Sequence, residues 1–205
     1  MLFPFAWRSC ISVFIKVVVY RARAMSGSSY EEPIHFECQR CGKCCTGLVI
    51  EKNGSLEGLA ILPHERELFP KNFIEPHLGM GYSENRIERI MQYQVNVDVC
   101  PHLGEENECT IYATRPLTCR RFPLVYSNYD RTRLADTESC KAIAELEAEF
   151  GLLDGLFSRD TFICDDCWNA HFKFDYYIRS SEIDMSIMGY RPYSFDLKTR
   201  KWYPK

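Results

Sequence analysis

Apolar residues recur at three- to four-residue steps in three stretches of the chain, the spacing that places them on one face of an α-helix. This pattern predicts helices over Ser83–Gln94, Ser139–Phe157 and Asp160–Ile178. Ser83 is expected to cap the first of them, because a serine hydroxyl can accept a hydrogen bond from a free backbone N–H of the first turn. A shorter helix is predicted over Pro63–Phe69, where prolines mark both ends.

Strand signals are fewer and shorter. Short apolar runs near turn residues predict strands at Gly47–Glu51, Val95–Val99 and Leu124–Tyr126. The C-terminal stretch Tyr193–Tyr203 alternates like a β-hairpin, with its turn near Lys198–Arg200. The chain is therefore expected to contain mainly short helices with a few short strands.

Length and charge narrow the class of protein. The chain has 205 residues, enough for one domain with a sizeable hydrophobic core, and a formal net charge of -3. Because it has no overall basic field, nucleic acid is not expected as a partner.

The N-terminal segment, residues 1–25, differs from the rest of the chain in the pattern of its apolar residues. Ile11–Tyr20 is mostly apolar, but Lys16 interrupts it, and it is far shorter than the roughly 20 residues of a membrane helix. Ala22-Arg23-Ala24 has the form of a signal-peptidase site, yet its flanks fit one poorly. We expect an upstream extension of the reading frame or a weak interfacial segment, without stable membrane insertion.

The unusual feature of the composition is its eleven cysteines. In an oxidising compartment such a set would form disulfides, and in a reducing compartment it would bind metal or act in catalysis. Closely spaced C-x2-C pairs favour metal, because they chelate one ion, whereas disulfide frameworks usually spread their cysteines along the chain. A cytoplasmic metal-binding protein is the preferred interpretation, and a secreted disulfide scaffold is the competing one.

Four of these cysteines are clustered within Cys38–Cys45, a segment called the knot below although it implies no disulfides. Four more, between residues 100 and 140, could complete a metal site with them. Neighbouring side chains tend to diverge, so Cys44 and Cys45 are expected to serve different centres, unless one of them is an outer thiol. Eight thiolates would fill two four-ligand sites. The predicted metal ligands are Cys38, Cys41, Cys44, Cys45, Cys100, Cys109, Cys119 and Cys140.

The spacing of the knot leaves the metal open between zinc and an iron–sulfur cluster, with a slight preference for the cluster. C-x2-C-x2-C is the first part of the bacterial ferredoxin run, whose remaining ligand to the same cluster precedes a proline elsewhere in the chain. Cys100-Pro101 supplies such a pair, whereas Leu48 and Val49 stand where the run's own last Cys-Pro would be. Five basic residues beside the cysteines could offset the negative charge of the thiolates: Arg40, Lys43, Arg115, Arg120 and Arg121. Arg115 and Arg120 are the predicted cofactor-binding residues among them.

Cys164 and Cys167 are spaced like half of a metal site. They fall on a predicted helix beside Trp168 and Phe172, where cysteine commonly packs as a small apolar residue. Core packing is therefore the favoured interpretation of this pair. Leu78–Gly81 is interpreted as a turn, because a nucleotide fingerprint needs a strand immediately before it.

The ordered string of motifs resembles the YkgJ-type cysteine-cluster family, described as zinc- or iron-chelating domains. The resemblance covers roughly residues 36–141 and rests on three blocks and a final cysteine: Phe36-x-Cys38-x2-Cys41-Gly42-x-Cys44-Cys45, Cys100-Pro101-x-Leu103, Cys109-Thr110-Ile111-Tyr112-x2-Arg115-Pro116-Leu117-x-Cys119-Arg120-x-Phe122-Pro123, and Cys140. It implies metal or iron–sulfur binding by these cysteines. The family includes flagellin lysine N-methylases, so a protein lysine N-methyltransferase is the alternative function that the resemblance implies.

The predicted fold is an α+β protein whose residues 26–205 form a single compact domain, organised around a cysteine-ligated metal core. Its predicted function is to hold zinc or an iron–sulfur cluster in cysteine thiolates, for electron transfer, metal handling or structural ligation. Folding is expected to depend on the metal, because its ligands come from segments far apart in the sequence. No nucleophile–base pair or phosphate loop with diagnostic spacing identifies a substrate.

Overall fold

The structure, a computed structural model, describes residues 34–125, 133–134, 140–150 and 162–205. The N-terminal extension predicted for residues 1–25 lies outside the described residues. From His35 to Lys205 the chain forms one compact unit.

The largest element is an antiparallel sheet of five strands. From one edge to the other they are β11 (Lys201–Pro204), β10 (Arg191–Asp196), β5 (Ile74–Ser83), β6 (Arg86–Val95) and β4 (Leu59–Ile61). The two longest strands, β5 and β6, form a hairpin in which Ser83 pairs with Arg86. The C-terminal hairpin predicted from alternation is confirmed: β10 and β11 pair with Asp196 opposite Lys201, which places the turn at residues 197–200.

The helix predicted over Ser83–Gln94 is wrong, because this segment contains the hairpin turn and strand β6. Its apolar residues fit a helical face and a strand face almost equally well. Pairing decides the outcome: β6 is hydrogen-bonded to β5 on one side and to β4 on the other. Such tertiary pairing overrides a local pattern. The strand predicted over Val95–Val99 is also wrong, since β6 ends at Val95.

The remaining strands are short. They are β1 (Ile34–His35), β2 (Ile50–Lys52), β3 (Ser55–Glu57), β7 (Leu124–Val125), β8 (Arg133–Leu134) and β9 (Phe162–Ile163). β2 pairs with β3, and β7 pairs with β8, each in antiparallel fashion. β7 confirms the strand predicted from Leu124 onward, and β2 overlaps the one predicted over Gly47–Glu51.

The described α-helices are α1 (Leu117–Arg120), α2 (Lys141–Phe150) and α3 (Asp165–Ile187). α2 lies within the predicted helix Ser139–Phe157, and α3 begins later than predicted and continues past Ile178. Three 3₁₀ segments, Lys43–Cys45, Pro63–Leu68 and Lys71–Phe73, precede the long hairpin, and a fourth, Tyr112–Thr114, precedes α1. None of the described helices has the length and apolar character needed to cross a membrane.

Apolar side chains on the sheet form the hydrophobic core. One buried cluster joins Leu78, Met80 and Met91 of the central hairpin to Met185 of α3. A second joins Ile61, Phe69 and Val95 near β4. The core therefore rests on burial of apolar surface between the sheet and the elements packed on it.

The predicted fold class, mainly short helices around a metal core, is therefore wrong. Strands outnumber α-helices in the described parts of the chain, and an antiparallel sheet is the largest assembly. The buried clusters are built from aliphatic, methionine and aromatic side chains, with Cys100 only partly buried at the edge of one of them. The error has a physical cause: cysteine spacing reveals where a metal can bind, but carries no information on how apolar surface is buried.

Candidate metal centre

The first cysteine block closes with a tight turn. Gly42 has φ +74, and the 3₁₀ segment that follows begins with a hydrogen bond of 2.9 Å from the Cys45 N–H to the Gly42 carbonyl. A Cβ on Gly42 would lie 3.0 Å from Asn107 Cβ and from Leu103 Cδ1, and a positive φ is costly for residues with a Cβ. Glycine at this position therefore lets the first block approach the second closely.

Backbone hydrogen bonds tie the first block to the start of the second. The Cys100 N–H donates to the Cys45 carbonyl over 2.8 Å, and the Leu48 N–H donates to the Asp98 carbonyl over 3.0 Å. The two segments therefore run side by side, with Cys45 next to Cys100. This is the contact that a site built from both blocks requires.

A buried carboxylate anchors the segment that carries Cys119. Glu65 is 6% exposed, and its Oε2 accepts from the Leu62 N–H at 2.8 Å while its Oε1 accepts from the Leu117 N–H at 2.7 Å. Leu117 is the first residue of α1, so the carboxylate satisfies a backbone N–H that a helix start leaves free. Glu65 thereby joins the 3₁₀ segment Pro63–Leu68 to the helix bearing Cys119.

The last cysteine of the predicted set lies just before α2. Cys140 is 6% exposed, and its carbonyl accepts from the Ala144 N–H at 3.0 Å. The Gln39 side chain, in the first block, donates to Glu145 on the same helix. This hydrogen bond holds α2 beside the knot and so brings Cys140 near it.

All the predicted ligands line one cavity. Its volume is about 1180 Å³, and its wall includes Cys38, Cys41, Cys44, Cys45, Cys100, Cys109, Cys119 and Cys140. None of these cysteines is in a disulfide. Cys164 and Cys167 are not part of the wall, and they form a disulfide with each other. The fold thus separates the eight predicted metal ligands from the C-x2-C pair Cys164 and Cys167.

Three of the thiols are in contact. The Cys45 thiol is hydrogen-bonded to both Cys44 and Cys100, which raises the pKa of Cys45. The same hydrogen bonds lower the pKa of Cys44 to about 7 and that of Cys100 to about 6, because they stabilise the thiolate form. Both thiols take part in one contact group, so their side chains do not diverge as expected. That they serve different centres, or that one is an outer thiol, stays a prediction.

The surroundings of Cys109, Cys119 and Cys140 raise the pKa of each thiol and so favour its protonated form in the absence of a cation. Burial is the largest cause that raises the pKa of Cys109, Cys119 and Cys140, and neighbouring cysteines add to it. A bound cation reverses this preference, because a coordinating thiol is deprotonated by the metal. Binding would accordingly release protons from these residues.

Basic side chains approach the cavity around one aromatic ring. The guanidinium groups of Arg40 and Arg115 lie 4.4 Å and 3.8 Å from the centre of the Tyr112 ring. Arg115 lines the cavity, and its charge is one cause of the lowered pKa of Cys44. Its Nη2 lies 3.5 Å from Asp166 Oδ2, while its Nε is buried and has no hydrogen-bond partner within the described parts of the chain.

The two arginines predicted to bind the cofactor lie in different places. Arg115 is in the wall of the cavity, whereas Arg120 is absent from the wall and forms an ion pair with Asp166. Asp166 thus contacts both arginines. Arg121, which was expected to help offset the thiolate charge, also lines the cavity.

Apart from the hydrogen bonds of Cys45 with Cys44 and Cys100, the cysteine side chains border the cavity without converging on one point. Among the residues that the structure describes, no three His, Cys, Asp or Glu side chains are placed so that they could hold a metal ion. The donor set nevertheless fits zinc or an iron–sulfur cluster by its chemistry, since both prefer soft thiolates. Metal binding would have to draw the cysteine segments inward, as happens where binding and folding are coupled.

Sequence reasoning missed three residues that build this site. They are not predicted metal ligands, but they position other parts of the site. Glu65 anchors α1, Tyr112 contacts Arg40, and Asp166 pairs with Arg115. Tyr112 was visible as part of the Cys109 block, without an assigned role. Glu65 and Asp166 gave no signal, because their partners are distant in sequence.

Comparison with known proteins supports the cysteine-cluster interpretation. The profile of the CxxCxxCC family, described as "Putative zinc- or iron-chelating domain", matches residues 37–141, about half of the 205-residue chain. The matched region begins one residue before Cys38 and ends one residue after Cys140. No curated protein and no solved structure gives a significant match.

Proposed function

Since the chain belongs to the CxxCxxCC family of zinc- or iron-chelating domains, we propose that its function is to hold a polynuclear metal centre in the cysteine-lined cavity. The observation that carries the proposal is that eight free cysteines, from segments distant in sequence, line one cavity. Eight thiols exceed the four that a single tetrahedral ion takes. Two ions or a cluster would use them more completely.

The nucleus of the proposed centre is the contact group Cys44, Cys45 and Cys100. The lowered pKa values of Cys44 and Cys100 favour thiolates near neutral pH, and the thiolate is the form that binds metal. Cys109 and Cys119 lie close enough to interact electrostatically with these two thiols. They are the next ligands to be recruited.

We place an iron–sulfur cluster ahead of zinc. The C-x2-C-x2-C triplet with a distant Cys-Pro fits the ferredoxin pattern in part, and Cys100 of that pair is in the contact group with Cys45. Hydrogen-bond donors around a cluster tune it and offset its charge, and Arg115 and Arg121 in the wall are suited to this. A cytoplasmic protein used for electron transfer or metal handling is consistent with these features.

The test is metal analysis of protein purified without oxygen, together with its visible spectrum. Brown protein that contains iron and acid-labile sulfide supports the cluster. Colourless protein with bound zinc keeps the chelating function and contradicts the cluster. Protein that binds neither metal while its cavity thiols remain free and reactive contradicts the whole proposal.

A pair of serine variants makes the test site-specific. Cys100→Ser removes a member of the contact group, and Cys164→Ser removes a cysteine outside the cavity. The first should lose metal and the second should retain it. Equal loss in both variants would show that the cavity does not define the site.

Methyl transfer to protein lysine is the alternative that the motif resemblance raised. The segment Leu78–Gly81, interpreted from the sequence as a turn, is instead part of strand β5. It therefore forms no glycine-rich loop that could bind a methyl donor. A binding measurement with S-adenosylmethionine and metal-loaded protein checks it directly. Saturable binding would revive this alternative.

A further inference from the structure

The late cysteine pair lies at the start of the longest described helix. Cys164 is the N-cap of α3, and Cys167 lies in its first turn. The two form a disulfide across a sequence separation of 3 residues, and neither lines the cavity of the proposed metal centre. Their sulfurs are therefore engaged with each other and are not part of the thiol set that the cavity brings together.

A bridge of this span is poorly suited to stabilising the fold. In the chain-entropy account, a disulfide stabilises by restricting the unfolded chain, and the effect grows with the length of the loop it closes. Cys164 and Cys167 are three residues apart and are already held together by the first turn of α3. A purely structural role would leave this pair with little to contribute.

The two sulfurs differ in their access to solvent. Cys164 is partly exposed, whereas Cys167 is only 4% exposed. The Cys167 Sγ also lies 3.5 Å from the Phe122 carbonyl, which can accept from its thiol in the reduced state. An external thiol can therefore reach Cys164, while Cys167 is shielded.

The backbone around Cys164 favours a thiolate there. Its Sγ accepts a hydrogen bond of 3.3 Å from the Cys167 N–H. It also lies at the N-terminus of a 23-residue helix, where the aligned peptide dipoles favour negative charge. Cysteines at such positions are the reactive ones in proteins that exchange disulfides.

The acidic residues between the cysteines are partly neutralised. Asp165 and Asp166 both fall in the first turn of α3, where their charges would oppose a thiolate at Cys164. Asp166, however, is paired with Arg120 and with Arg115. Its field at Cys164 is thereby reduced, and the helix terminus and the Cys167 N–H remain as favourable contributions.

We propose that Cys164 and Cys167 form a redox-active disulfide that exchanges with external dithiols, separately from metal binding. A thiolate of the dithiol attacks Cys164 Sγ, and Cys167 leaves as a thiolate that takes up a proton. The second thiol of the dithiol then attacks the sulfur through which the dithiol is bound to Cys164. This closes the dithiol's disulfide and releases Cys164 as a thiolate, which takes up a proton. The dithiol loses two electrons and two protons and becomes a disulfide, while the protein pair gains both and becomes two thiols.

The first test is a redox titration of the full, metal-loaded chain. The protein is equilibrated in defined ratios of reduced to oxidised dithiothreitol, free thiols are trapped by alkylation, and the peptides are analysed by mass spectrometry. Cys164 and Cys167 should become alkylated together in one two-electron transition while the bound metal stays constant. Alkylation at every ratio, or metal loss in step with the transition, would overturn the proposal.

The second test separates the roles of the two sulfurs. In oxidised glutathione, the Cys164 thiolate of Cys167→Ser should attack one glutathione sulfur, form a mixed disulfide and release reduced glutathione. The matched variant Cys164→Ser should trap about tenfold less, because its remaining thiol is shielded. Equal trapping in both folded variants, or none at Cys164, would refute the assigned roles, and the wild-type titration remains decisive if either variant fails to fold.

Discussion

Cys45 and Cys100 are joined twice, by a hydrogen bond between their thiols and by a backbone hydrogen bond of 2.8 Å from the Cys100 N–H to the Cys45 carbonyl. Cys45 ends the first cysteine block, Cys38–Cys45, and Cys100 begins the second block. Their contact is the place where the two motifs of the sequence become one site. The position of the metal should therefore depend on this pair more than on the exposed end of the knot.

Replacing Cys100 by serine tests that dependence. Cys100→Ser removes a thiol whose pKa is lowered to about 6 and which contacts Cys45. We expect about tenfold less bound metal after purification without oxygen, because serine is a poor ligand for zinc and iron. Metal content per chain is the measurement.

Cys38→Ser is the matched control, because Cys38 lines the same cavity but is exposed. Its metal loss should be the smaller of the two. A larger loss in Cys38→Ser than in Cys100→Ser would move the centre toward the start of the knot.

Arg115 and Arg120 offer a comparison between two arginines that share Asp166. Arg115 lines the cavity and helps to lower the pKa of Cys44, whereas Arg120 is outside the cavity wall. Arg115→Gln should weaken metal affinity by about 10- to 100-fold, the usual effect of losing an outer partner of a ligand. Arg120→Gln should leave the affinity close to that of the wild type in the same competition assay with a chelator. The reverse order would assign the outer partner to Arg120.

The cysteines that line the cavity could be picked out from the sequence, but their arrangement could not. Close spacing identified the four cysteines within Cys38–Cys45, and the count of thiolates together with the motif resemblance added Cys100, Cys109, Cys119 and Cys140; all eight line one cavity. The contact between the Cys44 and Cys45 thiols was not predicted, because it depends on the turn at Gly42 and the following 3₁₀ segment. A disulfide between Cys164 and Cys167 was not predicted either, although a C-x2-C pair at a helix start could have suggested it.

The fold was harder to predict than the site. The segment Arg86–Val95 became a strand because it pairs with β5 across the hairpin turn and with β4, which lies farther back in the sequence. α3 was recognisable from its apolar spacing, and the β10–β11 hairpin from its alternation. Long-range pairing is the information that a single sequence does not display.

Glu65 should be important for stability although it is not a metal ligand. Both of its carboxylate oxygens accept backbone hydrogen bonds, from Leu62 and from Leu117. Glu65→Gln replaces one acceptor by an NH2 group, so one buried N–H loses its partner at a cost of about 1–3 kcal/mol. Urea unfolding measures this difference, and Glu67→Gln, at an exposed position of the same 3₁₀ segment, is the control. Equal stability of the two variants would contradict the anchoring role.

Asp196 should make stability depend on pH in the acid range. Its carboxylate accepts from the Leu56 N–H, from the Lys198 N–H and from the N–H and hydroxyl of Thr199. The Thr199 hydroxyl is the largest cause that lowers its pKa from 3.8 to about 2. A lowered folded-state pKa means that this stabilisation is complete above the ordinary value and is lost as the pH falls toward 2.

The Asp196→Asn variant isolates this effect from other acid-sensitive groups. The difference in free energy of unfolding between wild type and Asp196→Asn, from urea titrations of metal-free protein, should be constant above about pH 5 and shrink below about pH 4. A difference that does not change between pH 5 and pH 2 would show that the charge of Asp196 is not what stabilises the turn.

Removal of the metal should loosen the cysteine segments and leave the sheet in place. The buried members of the two apolar clusters, Leu78, Met80, Met91 and Met185 and Ile61, Phe69 and Val95, include no predicted metal ligand. Local openings can be much cheaper than global unfolding where apolar burial is low. Hydrogen exchange of chelator-treated protein should therefore show lost protection at the Leu48 and Cys100 N–H groups, whose hydrogen bonds to the Asp98 and Cys45 carbonyls join the two blocks, and retained protection in β5 and β6. Loss of protection throughout β5 and β6 would instead mean that the whole fold depends on the metal.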